Sequence, residues 1–197
     1  MADDRYRLYS AAELDPVLDD MARQAVALMD ATPTVLLGML RRGVPLADML
    51  RERVLRIAPG AAVERLDLEV KRYADTLELL HADTHLAAPE GAAGLLAGRR
   101  VIVVDDVLYQ GHSLFRVFTW LATVKPAAVH AAVLVDRQRY QLPVRADIVG
   151  VTLKIAPTDV IECNVPPFEE DFRVDLWRTG GAAGTGKGET GTGNGAS

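Results

Sequence analysis

"VIVVDDVLYQGHSLFRVFTWL", residues 101–121, decides how the rest of the chain is read. Four apolar residues, Val101 to Val104, run directly into two adjacent carboxylates, Asp105 and Asp106. A loop, "YQGHS", follows, and from Leu114 to Val124 the apolar residues return at helical spacing. A short unbroken apolar run suits a strand covered on both faces, as in a parallel sheet between helices. In open α/β sheets ligands bind beyond the carboxyl ends of strands, and the two aspartates fall at such an end. Gly111 permits close backbone approach. Ser113 is placed to cap the next helix, whose first amides and dipole favour an anion. Carboxylates would repel a phosphate that touched them, so they suit sugar hydroxyls, or a Mg2+ ion carrying water and further phosphates. Acids for hydroxyls beside amides for a phosphate describe a site for a ribose 5-phosphate. The bland alternative is a Ser113-capped helix with two solvated aspartates in a loop.

The same alternation of strand and helix extends in both directions. Upstream, Ser10 and Glu13 form a capping-box pattern, "SAAE", and Leu14, Val17, Leu18, Met21, Ala25 and Leu28 recur at helical spacing. "TVLLGML" (34–40) reads as a buried strand, "RRG" breaks it, and "VPLADMLRERVLRI" resumes a helix with Pro45 tolerated in its first turn. "VERLDLEVKR" alternates polar and apolar positions, as a strand exposed on one side does. Residues 73–98 show no clear period and read as a long excursion, a flap. Downstream, "AAVHAAVLVD" is an apolar strand and "RQRYQLP" a turn, and "ADIVGVTL", "DVIECNV" and "FRVDLW" are shorter strands. Strands alternating with helices predict an α/β fold with a mostly parallel central sheet and right-handed crossovers.

Length and composition narrow the class. The chain has 197 residues, 49% of them hydrophobic, which suits one domain with a substantial core over residues 1–178. A net charge of -5 argues against coating nucleic acid by bulk attraction. Cys163, the only cysteine, excludes an internal disulfide and any multi-cysteine metal site. "MADDRYRLYS" has no apolar core of a secretion signal, and no apolar run reaches membrane-spanning length, so a cytoplasmic protein is expected. Residues 179–197 are almost wholly Gly, Thr, Ala and Ser and are expected to be disordered. Within them "GAAGTGKG" imitates a nucleotide-binding P-loop. It lacks the final hydroxyl and the following helix that such a loop needs.

"VIVVDDVLYQGHS" resembles the phosphoribosyl pyrophosphate (PRPP) motif of type I phosphoribosyltransferases: an apolar strand, two acids, then a loop usually written T-G-x-T. The "DDVLY" wording is closer to one branch, the PyrR-like pyrimidine-operon attenuators and uracil phosphoribosyltransferases. "GMLRRGVPLADML" is similar to that branch's pyrophosphate loop and following helix. "AVLVDRQRYQLPVRADIVG" is similar to its late strand and turn, and "LDLEVKR" to the strand carrying a basic residue toward the site.

The resemblance implies a single-domain type I phosphoribosyltransferase fold with a flexible flap, and a PRPP site. Asp105 and Asp106 would meet the ribose 2- and 3-hydroxyls and hold Mg2+, the implied cofactor, through water. With Arg42 they would form the catalytic set. Gln110, Gly111, His112 and Ser113 would cradle the 5-phosphate, and Arg41, Arg42, Gly43 and Arg72 would meet the pyrophosphate. Asp136 and Arg137 would lie in the nucleobase region. The implied reaction is transfer of ribose 5-phosphate from PRPP to uracil, giving UMP and pyrophosphate, in a homodimer or homotetramer. The alternative is a pyrimidine regulator that senses nucleotide or PRPP, with or without RNA binding as an attenuator, and with weak or no catalysis.

Three departures from the family's pattern bear on that choice. Gln110 and Ser113 replace the two threonines of the phosphate loop. The late turn reads "QRYQ" where the family has "GHRE", which disfavours RNA as a partner, although Arg139, Arg145 and Tyr140 are of types that contact it. "VKRYADTL" is less acidic than the family's "YRDDL", with Tyr73 and Ala74 in place of acids. His112 suits either a phosphate or a plain surface position at the helix start, and His81 and His85 read as part of the flap.

Overall fold

A computed structural model of the chain describes residues 4–70 and 86–178. The elements run β1 (Asp4–Tyr9), α1 (Ala11–Leu28), β2 (Thr34–Met39), α2 (Gly43–Ile57), β3 (Val63–Val70), β4 (Leu86–Ala87), α3 (Ala92–Leu96), β5 (Arg100–Leu108), α4 (His112–Val124), β6 (Ala128–Asp136), β7 (Ile148–Thr152), β8 (Val160–Asn164) and β9 (Arg173–Arg178). The predicted disordered segment 179–197, the expected pyrophosphate contact Arg72, and the flap histidines His81 and His85 lie outside the described residues.

The central sheet has the order β4-β3-β2-β5-β6-β7. β3, β2, β5, β6 and β7 are mutually parallel, and β4 is an antiparallel edge. This is the α/β fold with a mostly parallel central sheet that the sequence predicts. Period-2 alternation splits its apolar side chains between two cores. Leu36, Ile102, Val104, Ala132 and Leu134 pack with α1 and α2, whereas Val35, Leu37, Val101, Val103, Ala131 and Val133 pack with α3 and α4. That double cover is why β2 is buried along its whole length and reads as an unbroken apolar run. α1 begins as its sequence predicts: the Ser10 amide and hydroxyl both donate to the Glu13 carboxylate, at 2.8 and 2.7 Å. Phe118 and Trp120 are half-buried at the margin of the second core. Within the expected aperiodic excursion a short helix, α3, closes over the second core. Among the described residues no helix is long and apolar enough to cross a membrane.

The sequence reading differs from the fold in three places. β5 does not stop at Val104 but continues through both aspartates to Leu108. α4 begins at His112, with Gly111 as its N-cap, so Ser113 lies inside the first turn and does not cap the helix. The charged amino terminus, unassigned from sequence, forms β1, which pairs antiparallel with β9 and completes a separate sheet of order β1-β9-β8.

A buried acid holds this small sheet together. Asp175 is 2% exposed, and its Oδ2 accepts bonds from Arg5, from Arg173 Nε (2.9 Å) and from Asn164 Nδ2 (3.1 Å). Burial raises its pKa, but the Arg173 and Arg5 bonds outweigh burial and leave it below the ordinary carboxylate value. A depressed folded pKa adds stability above the unfolded value, and that stability is lost as pH falls through the folded one. Asp175→Asn should therefore cost about 2 kcal/mol at pH 7. In urea titrations its deficit against the unsubstituted chain should shrink as pH falls below the usual carboxylate range. A deficit independent of pH would exclude this account.

Candidate active site

Register places the aspartate pair. β2 pairs with β5 only as far as Gly38 opposite Val104, and ends at Met39 opposite Leu68 of β3, just ahead of α2. β5 continues alone against β6, so Asp105 and Asp106 stand beside the loop formed by Leu40 to Gly43. The Leu40–Arg41 peptide in that loop is cis. Asp105 is 6% exposed and accepts the Asp106 amide on Oδ1 (3.0 Å), while Asp106 Oδ1 accepts the Val107 amide (3.0 Å). The Arg42 Nη1 atom faces Asp106 Oδ2 across 3.8 Å. Gly43, the next residue, is buried where α2 crosses β5.

Arg42 is not an open cation. Its Nε and Nη2 both donate to Glu169 Oε1, at 3.1 and 2.7 Å, and Glu162 Oε1 lies 3.8 Å from Nη2. Burial works against its charge, but the Glu169 bond and the Asp106, Glu169 and Glu162 carboxylates raise its pKa above the ordinary arginine value. Arg41 stacks on the Phe168 ring at 4.7 Å. Arg41 and Arg42, two of the three arginines expected to meet the pyrophosphate, therefore already have partners, on residues 168 and 169. Sequence reading missed these partners, because "PPFEED" lies far along the chain and gives no sign of where it folds back.

The "QGHS" loop joins β5 to α4. Gly111 has φ +93°, a left-handed conformation that suits glycine, and an added Cβ would overlap Val144 Cγ2. α2 and α4 both start at the carboxyl edge of the sheet, so their first-turn amides open onto the same side as the aspartates. The loop is tied to the late turn. Gln141 donates its amide to the Gln110 carbonyl (2.9 Å), and His112 Nε2 lies 3.1 Å from Gln141 Oε1. Between loop and turn lies an open cleft of about 430 Å3, lined by Tyr109, Gln110, Gln138, Arg139, Tyr140 and Gln141.

The predicted nucleobase residues lie at the end of β6, Asp136 as its last residue and Arg137 just beyond it, and both are buried. Asp136 accepts from the Gln138 amide (2.8 Å) and from the Tyr140 hydroxyl. Burial first, then Asp136, pushes the Tyr140 phenol up to about 12. Arg145 covers one face of the Tyr140 ring at 3.8 Å. Arg137 lies over the Tyr109 ring at 4.0 Å and donates to the Ala156 carbonyl (3.3 Å). Its Nε is buried with no hydrogen-bond partner among the described residues. Cys163 is fully buried, and burial drives its thiol well above the ordinary range, so it cannot act as a thiolate nucleophile. Among the described residues no group of three or more His, Cys, Asp or Glu is placed to hold a metal.

Comparison with known proteins shows the family. The phosphoribosyl transferase domain family matches residues 9–170. Curated relatives include the bifunctional protein PyrR of Listeria welshimeri, 36% identical over 130 residues, which are 64% of this chain and 70% of that protein. Bifunctional protein PyrR of Elusimicrobium minutum is 29% identical over 166 residues, 83% and 92% of the two chains. Among solved structures, a hypoxanthine phosphoribosyltransferase of Trypanosoma cruzi superposes with a TM-score of 0.71 at 17% identity, covering 88% of this chain and 91% of that one. A hypoxanthine-guanine phosphoribosyltransferase of Bacillus anthracis gives 0.67 at 16% identity, covering 90% and 100%. At such identities the structural likeness shows the fold alone. The chain belongs to the type I phosphoribosyltransferases, and within them to the PyrR-like family.

Proposed function

We propose that the chain transfers ribose 5-phosphate from PRPP to uracil, giving UMP and pyrophosphate. The observation that carries this reading is the meeting of three features at one sheet edge: the Asp105–Asp106 pair, Arg42, and the N-terminal turns of α2 and α4. In this reading Asp105 and Asp106 receive the ribose hydroxyls. The amides of Gln110 to Ser113 take the 5-phosphate. Arg42 Nη1, with Arg41 and Gly43 beside it, faces the pyrophosphate. Two carboxylates are too few to hold a metal alone, which fits a Mg2+ that arrives with PRPP and keeps water and phosphate oxygens in its shell. When bound, Mg2+ would supply charge neutralisation for the departing pyrophosphate. The chain's own contribution is alignment and fixed charge, and no covalent nucleophile is required. The unpartnered Arg137 Nε supports a ligand carbonyl near the end of β6, which a pyrimidine base would supply.

The runner-up, a nucleotide-sensing regulator, draws support from the engagement of Arg42 by Glu169. RNA stays disfavoured, since Tyr140 is held by Asp136 and Arg145. Calorimetric titration with PRPP, with and without Mg2+, tests the site, and UMP formation with uracil against hypoxanthine tests the base. Metal-dependent binding followed by uracil-dependent turnover is expected. PRPP binding without turnover on either base would favour the sensor, and no PRPP binding by the folded chain would overturn the transferase reading, with UMP titration then deciding whether a nucleotide sensor survives.

A further inference from the structure

We infer that Glu169 is a positioning residue for the pyrophosphate site, holding Arg42 so that one edge of its guanidinium is presented to the substrate. The inference rests on the reading of Arg42 as the group facing pyrophosphate.

Glu169 sits in a turn closed by the Phe168 and Glu169 amides, which donate to the Val165 carbonyl at 3.2 and 3.4 Å. Its carboxylate is fixed at both ends. Oε2 accepts the Val165 amide (2.8 Å), and Oε1 accepts Arg42 Nε and Nη2. Burial raises the Glu169 pKa, but the Arg42 bond, the Val165 amide and the charges of Arg42 and Arg41 outweigh it, so Glu169 is ionised at neutral pH. An arginine presents five donors in a rigid plane, so a carboxylate that takes the Nε–Nη2 side dictates where the Nη1 side points. Here it points at Asp106 Oδ2, 3.8 Å away and too far for a hydrogen bond. Nη1 thus lies on the aspartate side of the loop, where a leaving group attached to the ribose would emerge.

The second arginine is held by the same turn, with Arg41 stacked on Phe168. Glu162 reinforces the arrangement from β8. Its Oε1 lies 3.8 Å from Arg42 Nη2, while its Oε2 accepts Trp177 Nε1 (2.9 Å) and Arg5 Nη2 (3.1 Å). The small sheet therefore aims the pyrophosphate loop of the large one.

Simple electrostatics and positioning predict opposite signs, which makes the inference testable. Deleting a negative charge beside an anion site should tighten anion binding if only Coulomb attraction matters. If Glu169 positions Arg42, deletion should weaken it. The experiment measures, for the full chain, PRPP affinity with Mg2+ by calorimetry, KM and kcat for PRPP and uracil, and thermal midpoint. Glu169→Ala is expected to raise the PRPP Kd and KM about tenfold, the order of one lost charge-assisted hydrogen bond. The uracil KM should be unchanged. Glu169→Gln keeps an acceptor oxygen without the charge and should fall between Glu169→Ala and the unsubstituted chain, which also covers the case in which Glu169→Ala fails to fold. Glu170→Gln removes the same charge from an exposed neighbour and should leave PRPP affinity unchanged or slightly tighter. Unaltered PRPP constants in the Glu169 variants, with only a lower thermal midpoint, would overturn the positioning role. Tighter PRPP binding would also overturn it and make Glu169 a competitor of the substrate. If the unsubstituted chain binds no PRPP, the phosphoribosyltransferase reading itself falls, a result distinct from either of those.

Discussion

Asp105→Asn combined with Asp106→Asn is expected to lower kcat/KM for UMP formation by about 10^3-fold or more while leaving the chain folded. The substitutions are nearly isosteric and retain acceptor oxygens, so the Asp106 and Val107 amides keep their partners. Asp106 is also one of three carboxylates around Arg42, and Glu162 and Glu169 remain to hold it. Stability should therefore change by no more than about 1–2 kcal/mol. Activity should not survive. Carboxamides lose the negative charge that receives ribose hydroxyls and water on a metal, and an amide group turned the wrong way offers a donor where an acceptor is needed. The pair of readouts is kcat/KM for PRPP and the urea midpoint. Activity within tenfold of the unsubstituted chain, in a folded double variant, would show that the aspartates are relics in a scaffold with another task. A nucleotide sensor that grips only the phosphate would lose little affinity for UMP in the same variant.

How much of this was legible in the sequence varies with the physics involved. The parallel sheet was legible because a strand covered on both faces must be apolar throughout, and β2, β5 and β6 each carry such a run. α1 was legible from spacing and from the Ser10–Glu13 capping box. The end of β5 was not legible. Charge at Asp105 and Asp106 suggests a loop, whereas pairing with β6 carries the strand on to Leu108 opposite Asp136. β1 was missed for a related reason. "DRYRLY" is charged and mostly exposed, and it is a strand only because β9 lies beside it.

The site divides in the same way. Residues joined by local chain geometry, Asp105 to Ser113 and Arg41 to Gly43, could be placed from motif and resemblance. Their partners could not, since Glu169 reaches Arg42 from 127 residues away and Gln141 reaches His112 from 29. Such contacts are decided by how the small sheet and the late turn fold back, and no local pattern encodes that. Those distant partners also set what the motif residues can do. Arg42 reads as an open cation from sequence, yet here it is ion-paired with Glu169.

Gly43→Ala should destabilise the fold by about 3 kcal/mol or more and abolish PRPP binding, against the expectation from helix propensity. Gly43 is the first residue of α2, and alanine is normally the better helix former by about 1 kcal/mol. Propensity alone would thus predict a more stable protein. Close approach reverses the sign. A Cβ at Gly43 would overlap the Val104 carbonyl oxygen and lie within 3.1 Å of the Val104 carbonyl carbon and 3.2 Å of Asp105 Cα. All three are backbone atoms of β5, so no rotamer change can make room. Either α2 moves away from β5 or the strand bends at Asp105, and each movement separates Arg42 from the aspartates. Gly94→Ala in α3 provides the control, because a Cβ there meets nothing within 4 Å. That variant should be stabilised by about 0.5–1 kcal/mol, as propensity predicts. Urea denaturation of both, with PRPP titration of Gly43→Ala, separates the two effects. A stable Gly43→Ala variant that still binds PRPP would mean that the contact between α2 and β5 is looser than the structure shows. Tight packing at that point would then not be what brings Arg42 and Asp106 together.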